Sequence, residues 1–285
     1  MSSEQKGRLI SKAIKELLQK DILRLSHNEL RIIIALERAV ARLQSHKKLS
    51  KHLVFKGGFV LLKTTDTNRF TRDLDALAHE ITKKGIPAII AVALSEDLDD
   101  GLWFGDVLVE EILGQEEYGG VRINCAFQIG EPPKEMKKVK KLSRIHIDIG
   151  FGDDIPKELN LQKMRSVIPF EKSVSWYVYP LEYIFSEKLE TVFQRASINS
   201  RAKDIYDLVL LYPICSSKRK LSEAIERTFK RRGTLMPTSF YKEAKLIDTT
   251  ILKSAWNSVQ LSEGAIEFDD YWKKFLILLQ VIDQR

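Results

Sequence analysis

The stretch "HLVFKGGFVLLKTTDTNRFTRDLDALAH", His52 to His79, constrains the fold more tightly than any other. It opens with a short apolar run of the kind that forms a buried strand, and that run stops at two adjacent glycines. "FVLLKTT" then has the make-up of a helix start. "DLDALAH" alternates, with Asp73 and Asp75 on one face of a strand and Leu74 and Ala76 on the other. Strand, glycine joint, helix and strand within so few residues require a sheet carrying helices.

The flanking segments extend this pattern. Ile14, Leu17, Leu18, Ile22 and Leu25, then Leu30, Ile33, Ile34 and Leu36, recur at helical spacing. Ser26 and Asn28 interrupt them and can cap a second helix. A helix is expected from Ile86 to Leu98. "WFGDVLVEEI", "GGVRINCAFQI" and "SRIHIDIGF" supply at least three more strands, and "VSWYVYPLEYIFSEKLETVFQR" is a strand, a proline break and a helix. Everything beyond reads as helical. The expected class is α+β: a mixed sheet flanked by helices over residues 1–180, with an all-helical portion, residues 181–285, packed against it.

Composition narrows the function classes. A chain of 285 residues buries about three-quarters of its unfolded surface and needs no staples. Cys125 and Cys215 are the only cysteines and lack metal-like or redox-like spacing, which fits a reducing cytoplasm. No segment approaches the roughly 18 uninterrupted apolar residues of a membrane span. The start, "MSSEQKGRLI", lacks a secretory signal's apolar core. The net charge of +7, from 46 basic and 39 acidic residues, permits a polyanionic partner without demanding one.

The chemistry lies in the acids and the joint. Nucleotidyl transfer needs positioning and charge neutralisation more than covalent help from protein groups. Hard divalent cations such as Mg²⁺ (Mn²⁺ is the alternative) do this on carboxylate oxygens. Aspartates two apart on one strand point the same way, about 7 Å from each other at the backbone. Asp148, between Ile147 and Ile149, is the candidate third ligand, because a carboxylate in such a sheet is costly unless paired or bound to metal. Gly57 and Gly58 let backbone N–H groups approach phosphate at a helix start, and Lys56 adds a charge there. His146 shares the Asp148 face, but the histidines have no ligand spacing. The tryptophans read as core or interface anchors.

In this order, Gly57-Gly58, "RFTRDLD" from Arg69 to Asp75, and Asp148 in "IDIGFGD" resemble the nucleotidyltransferase superfamily that shares its fold with DNA polymerase β. They resemble more closely the AbiEii/AbiGii toxins of type IV toxin–antitoxin systems. "SEKLETVFQR" and "RAKDIYDL" are similar to that family's third and fourth motifs, so the resemblance covers roughly Phe55 to Leu211. Phe59 stands where the family usually has Thr or Ser, which leaves phosphate contact to backbone N–H groups and nearby side chains. The resemblance implies a polymerase β-like core and a nucleoside triphosphate substrate contacted by Lys56, Gly57, Gly58, Arg69, Thr71 and Lys188. It implies that Asp204 assists the acceptor, and that Arg201 and Lys203 contact phosphate or RNA. It further implies an RNA acceptor, with the tRNA 3′ end the best-known class, and an antitoxin from the same operon.

Lys137, Lys138, Lys140, Lys141 and Arg144 crowd the loop that leads into the Asp148 strand, which suits contact with an RNA backbone. Two other readings stay open at this point. One is a catalytically impaired nucleotide- or RNA-binding regulator; the other is a transferase acting on a protein or small-molecule hydroxyl.

Overall fold

A computed structural model of the chain describes residues 1–20, 25–67, 69–112, 119–152, 155–156, 159–215, 217–259 and 266–284. Two helices come first, α1 (Ser3–Lys20) and α2 (His27–Ser45). Ile22, counted above in the first helical pattern, lies outside the described residues. Helix α2 starts with a capping box: the Glu29 N–H donates to the Ser26 hydroxyl at 3.3 Å, and the Ser26 N–H donates to the Glu29 carboxylate at 2.8 Å. Inside its buried face sit two charges with full sets of partners. Glu37 accepts from Lys63 at 2.6 Å and from the Val167 N–H at 3.0 Å, and Arg42 forks onto Asp100 at 2.6 and 2.9 Å.

The glycine joint follows β1 (Leu53–Lys56), and α3 (Gly57–Thr64) starts at once. After it come β2 (Asp73–Ala78), α4 (Ile86–Ser95), β3 (Leu102–Ile112) and β4 (Gly120–Ile129). A single-turn α5 (Met136–Val139) inside the lysine loop then leads to β5 (Arg144–Phe151), β6 (Asn160–Met164) and β7 (Val174–Val178). The strands form one mixed sheet in the order β3-β4-β5-β2-β1-β7-β6, with β2–β5 and β1–β7 parallel and the other pairs antiparallel.

This topology brings distant segments to one end of the sheet. The end of β1, the start of β2, the start of β5 and the end of β4 all lie there, as Lys56↔Asp75, Asp73↔His146 and Ala126↔Arg144 require. One face is core: Leu74 and Ala76 from β2, Ile145, Ile147 and Ile149 from β5, and Val121, Ile123 and Cys125 from β4 are all buried. The alternate positions carry Asp73 and Asp75 on β2, Arg122 and Asn124 on β4, and His146 and Asp148 on β5. Edge strand β6 was not evident in the sequence because "NLQKM" is polar, and β7 is its one neighbour.

The chain forms two compact units, Met1–Val178 and Tyr179–Arg285. In the second, α6 (Leu181–Arg195) packs on α7 (Ala202–Leu211) and α8 (Lys218–Arg231), and α11 (Phe268–Asp283) packs on α7 and α9 (Phe240–Ala244). Helix α10 (Thr250–Ala255) lies against α7. Phe193 and Phe229 both meet the Phe240 ring edge-on, at 5.2 and 5.6 Å. No helix among the described residues is long and apolar enough to cross a membrane.

Candidate active site

Strand register builds the acidic face. Asp75 of β2 lies directly beside Asp148 of β5, and Asp73 beside His146. On the other side of β5, Arg122 of β4 stands opposite Asp148 and Asn124 opposite His146. Two rows result across neighbouring strands, Arg122–Asp148–Asp75–Lys56 and Asn124–His146–Asp73. Partners in a row share a face and lie about 5 Å apart. Asp73 and Asp75 are half-buried, their intervening Leu74 fully so.

The three aspartates thus share one patch, yet they do not all point alike. Arg122 Nε donates to Asp148 Oδ1 at 2.8 Å and its Nη2 to Oδ2 at 2.6 Å, a two-pronged pair. That bond, more than any other influence, holds the guanidinium above its usual basicity; burial opposes it, and the charges of Asp148, Asp73 and Glu110 add to it. Arg122 stays 43% exposed and Asp148 19% exposed, so the pair lies at the rim of the patch and solvent reaches it. His146, in the other row, keeps a buried Nδ1 with no hydrogen-bond partner among the described residues.

The joint explains its own glycines. Gly57 has φ +74°, a left-handed conformation that favours glycine, and a Cβ there would fall 2.0 Å from Asp75 Oδ2. The Asp75 carboxylate therefore occupies the space that a side chain at 57 would take, against the first residue of α3. A Cβ on Gly58 would come 3.0 Å from Arg69 Nη2 and 3.1 Å from Thr71 Oγ1. Gly57, Gly58, Arg69, Thr71 and Asp75 consequently gather at one helix N-terminus, where the Lys56 side chain at the N-cap position makes no capping bond. Phe59 turns the other way: it is fully buried, its ring edge-on to Trp176 at 5.9 Å. Its position faces the core, so a hydroxyl there would not reach this patch.

The remaining sequence candidates lie elsewhere in the first unit or in the second. Lys137, Lys138, Lys140 and Lys141 are exposed on and beside α5, ahead of β5 and so at the acidic end of the sheet. Arg144 turns inward from that loop, donating to Asp106 Oδ2 at 2.7 Å and to the Asn124 carbonyl at 3.0 Å. In the helical unit, Lys188 of α6 is buried between two acids of α7, 2.6 Å from Asp204 and 2.9 Å from Asp207. Arg201, at the start of α7, donates to the other Asp204 oxygen at 2.7 Å, and Lys203 is half-buried beside it. Burial works against the Asp204 charge, but Lys188 and then Arg201 outweigh it and hold the carboxyl down at about 2. Burial pushes the Cys125 thiol up to about 12, which leaves no thiolate nucleophile there.

Sequence reasoning missed Arg122 and Asn124. Both occupy polar alternate positions in "VRINC", but nothing in the sequence orders β4 next to β5.

The model of the family described as nucleotidyl transferase AbiEii toxin, Type IV TA system, matches residues 38–279. The chain belongs to that family. It is accordingly a nucleotidyltransferase, and membership implies a nucleoside triphosphate substrate, a divalent metal and a cognate antitoxin. Two solved structures share the fold. JHP933 from Helicobacter pylori is 16% identical with a TM-score of 0.54, covering 91% of this chain and 94% of its own. A Helicobacter pylori protein described as a candidate nucleotidyltransferase is 17% identical with a TM-score of 0.54, covering 91% and 96%. A comparison with curated proteins finds no match.

The residues fit the implied metal. Asp73 and Asp75 present hard oxygen donors on one half-exposed face, and one of these carboxylates rests in the space that the missing Gly57 Cβ leaves.

Proposed function

We propose that this protein is a Mg²⁺-dependent toxin that transfers a nucleoside monophosphate from a triphosphate to the 3′ end of an RNA, tRNA being the favoured class. The observation that carries the reading is the register Asp75↔Asp148 beside Gly57, which sets acids from two strands against the first turn of α3. Mg²⁺ with bound substrate would neutralise charge on the α- and β-phosphates. Asp73 and Asp75 hold it. The first-turn N–H groups of α3, with Lys56, Arg69 and Thr71, receive the triphosphate oxygens. Asp148 joins the metal ligands or takes the proton of the attacking 3′-hydroxyl, and Arg122 supplies the compensating charge. Lys188 and Asp204 carry the family's third and fourth motifs; in this reading Lys188 serves the triphosphate and Asp204 the acceptor, with Arg201 and Lys203 contacting phosphate or RNA.

Attack of the 3′-oxygen on the α-phosphorus breaks the bond to the bridging oxygen, and pyrophosphate leaves. The exposed lysines at the acidic end of the sheet support an extended polyanion as acceptor. The setting is the cytoplasm, where the antitoxin from the same operon neutralises the protein.

The test incubates purified protein with Mg²⁺, each labelled triphosphate and total tRNA. Label transfer that Asp75→Ala abolishes is expected. No transfer with any base, alike in wild type and variant, sinks the reading. Reversing the charges of Lys137, Lys138, Lys140 and Lys141 should cripple a transferase that acts on RNA and spare one that acts on a protein or small-molecule hydroxyl. The Arg122–Asp148 pair favours a second reading, a nucleotide- or RNA-binding regulator without catalysis, whose growth arrest Asp75→Ala would leave intact.

A further inference from the structure

The β1–β2 ladder has two ends, and the far one carries chemistry of its own. Just beyond Leu53↔Ala78 lie His52, His79 and Glu80, about 13 Å along the strands from Asp75. One ligand atom from each of these three residues lies within 4.8 Å of the other two. Among the described residues this is the one group of three or more His, Cys, Asp or Glu side chains gathered so closely. The ladder itself produces the juxtaposition: the His79 N–H donates to the His52 carbonyl at 3.0 Å, extending the β1–β2 pairing by one step.

Two further observations point to a ligand. His52 Nδ1 lies 3.0 Å from the His79 carbonyl, which can only accept. Nδ1 is therefore the donor, and in the neutral ring Nε2 carries the lone pair. Metal-binding histidines are oriented in this way, one ring nitrogen donating to a backbone carbonyl and the other bare. His79 Nε2 is buried and has no hydrogen-bond partner among the described residues. A buried ring nitrogen without a partner costs free energy that a bound cation would recover. The rings meet at 62° with centroids 5.7 Å apart, so they are not stacked face to face. Glu80 is exposed, two residues past the end of β2, at φ +54°.

We propose that His52, His79 and Glu80 form a second metal site, for a borderline divalent transition metal of the Zn²⁺ class, with water completing the coordination. Two imidazoles and one carboxylate suit Zn²⁺ in a four-coordinate site and suit Mg²⁺ poorly, whereas the aspartates at the other end have the opposite preference. The site clips the open end of the hairpin whose other end holds Asp75. It does not depend on the nucleotidyl-transfer reading.

The experiment strips the full-length protein with a chelator and titrates it with Zn²⁺ against a chromophoric competitor. Co²⁺ is used in parallel for its four-coordinate absorption bands. The expected result is one Zn²⁺ per chain, retained in Asp73→Asn/Asp75→Asn and weakened at least a hundredfold in His52→Gln/His79→Gln. Glu80→Gln, at an exposed position that leaves folding intact, weakens it about tenfold. Zn²⁺ raises the melting temperature of the wild type and not of His79→Gln. Zn²⁺ binding that survives the histidine changes, or that disappears with the aspartates, overturns the proposal. So does a Co²⁺ spectrum of six-coordinate form only.

Discussion

The two acidic clusters of this protein are built on opposite principles. In the helical unit, Asp204 and Asp207 are almost fully buried and close on Lys188 at 2.6 and 2.9 Å, with Arg201 completing a neutral set. In the sheet, Asp73 and Asp75 share a half-exposed face with Asp148, and Arg122 compensates the third acid from the rim. A closed set stabilises a fold through groups that cannot be removed singly, whereas a half-exposed set stays within reach of a cation from solvent. The first pattern rewards burial and the second access, although both use aspartate.

The strongest way to break this contrast is Asp75→Ala. Removing a metal-holding carboxylate should lower kcat/KM for label transfer about 10⁴-fold, worth about 5 kcal/mol at the transition state, with little change in melting temperature. A variant that keeps its activity would show that the open acids are ornamental. Lys188→Met tests the closed set. It strands two buried carboxylates and should cost about 3–5 kcal/mol in urea unfolding, most of which a Lys188→Met/Asp204→Asn/Asp207→Asn variant recovers.

Acid sharpens the comparison further. Asp204 is held at about 2 against an ordinary value of 3.8, so its folded pKa is depressed. Its contribution is fully present above pH 3.8 and is lost as pH falls toward 2, about 2 kcal/mol in all. Urea midpoints at pH 6, 4 and 3 should show this loss in the wild type and a flatter profile in Asp204→Asn. The smallest effect is expected from Gly57→Ala. Its left-handed backbone adds about 1–2 kcal/mol of strain, and the new methyl displaces Asp75. Transfer should drop about tenfold, while the pH-dependence set by Asp204 stays as it was.

What the sequence reveals and what it withholds follow from locality. The glycine joint, the D-x-D strand and the alternation around Asp148 are patterns within one segment, and all three appear in the fold at the residues that carry them. Asp204 and Asp207, three apart in "KDIYDL", share one helix face by spacing alone. Their shared contact with Lys188, on another helix, does not follow from spacing. Arg122 escaped notice for the same reason: its partner is 26 positions away on a strand whose neighbour only the sheet order defines. Arg144 looked like part of a basic surface because four lysines precede it. Its inward turn is decided by Asp106 and Asn124, from two other strands. Phe59 read as a missing hydroxyl, and its place under Trp176 depends on β7 lying next to β1.

The parallel pairing of β2 with β5 has a consequence for synthesis of the chain. On the ribosome, the Asp73–Asp75 segment emerges long before the strand that will lie beside it, and β3, β4 and the lysine loop must be made in between. Until residue 148 has left the exit tunnel the two-strand acidic face does not exist, so fragments terminated earlier should be harmless to the cell that makes them. A growing polypeptide built in this order remains disarmed for more than half of its translation.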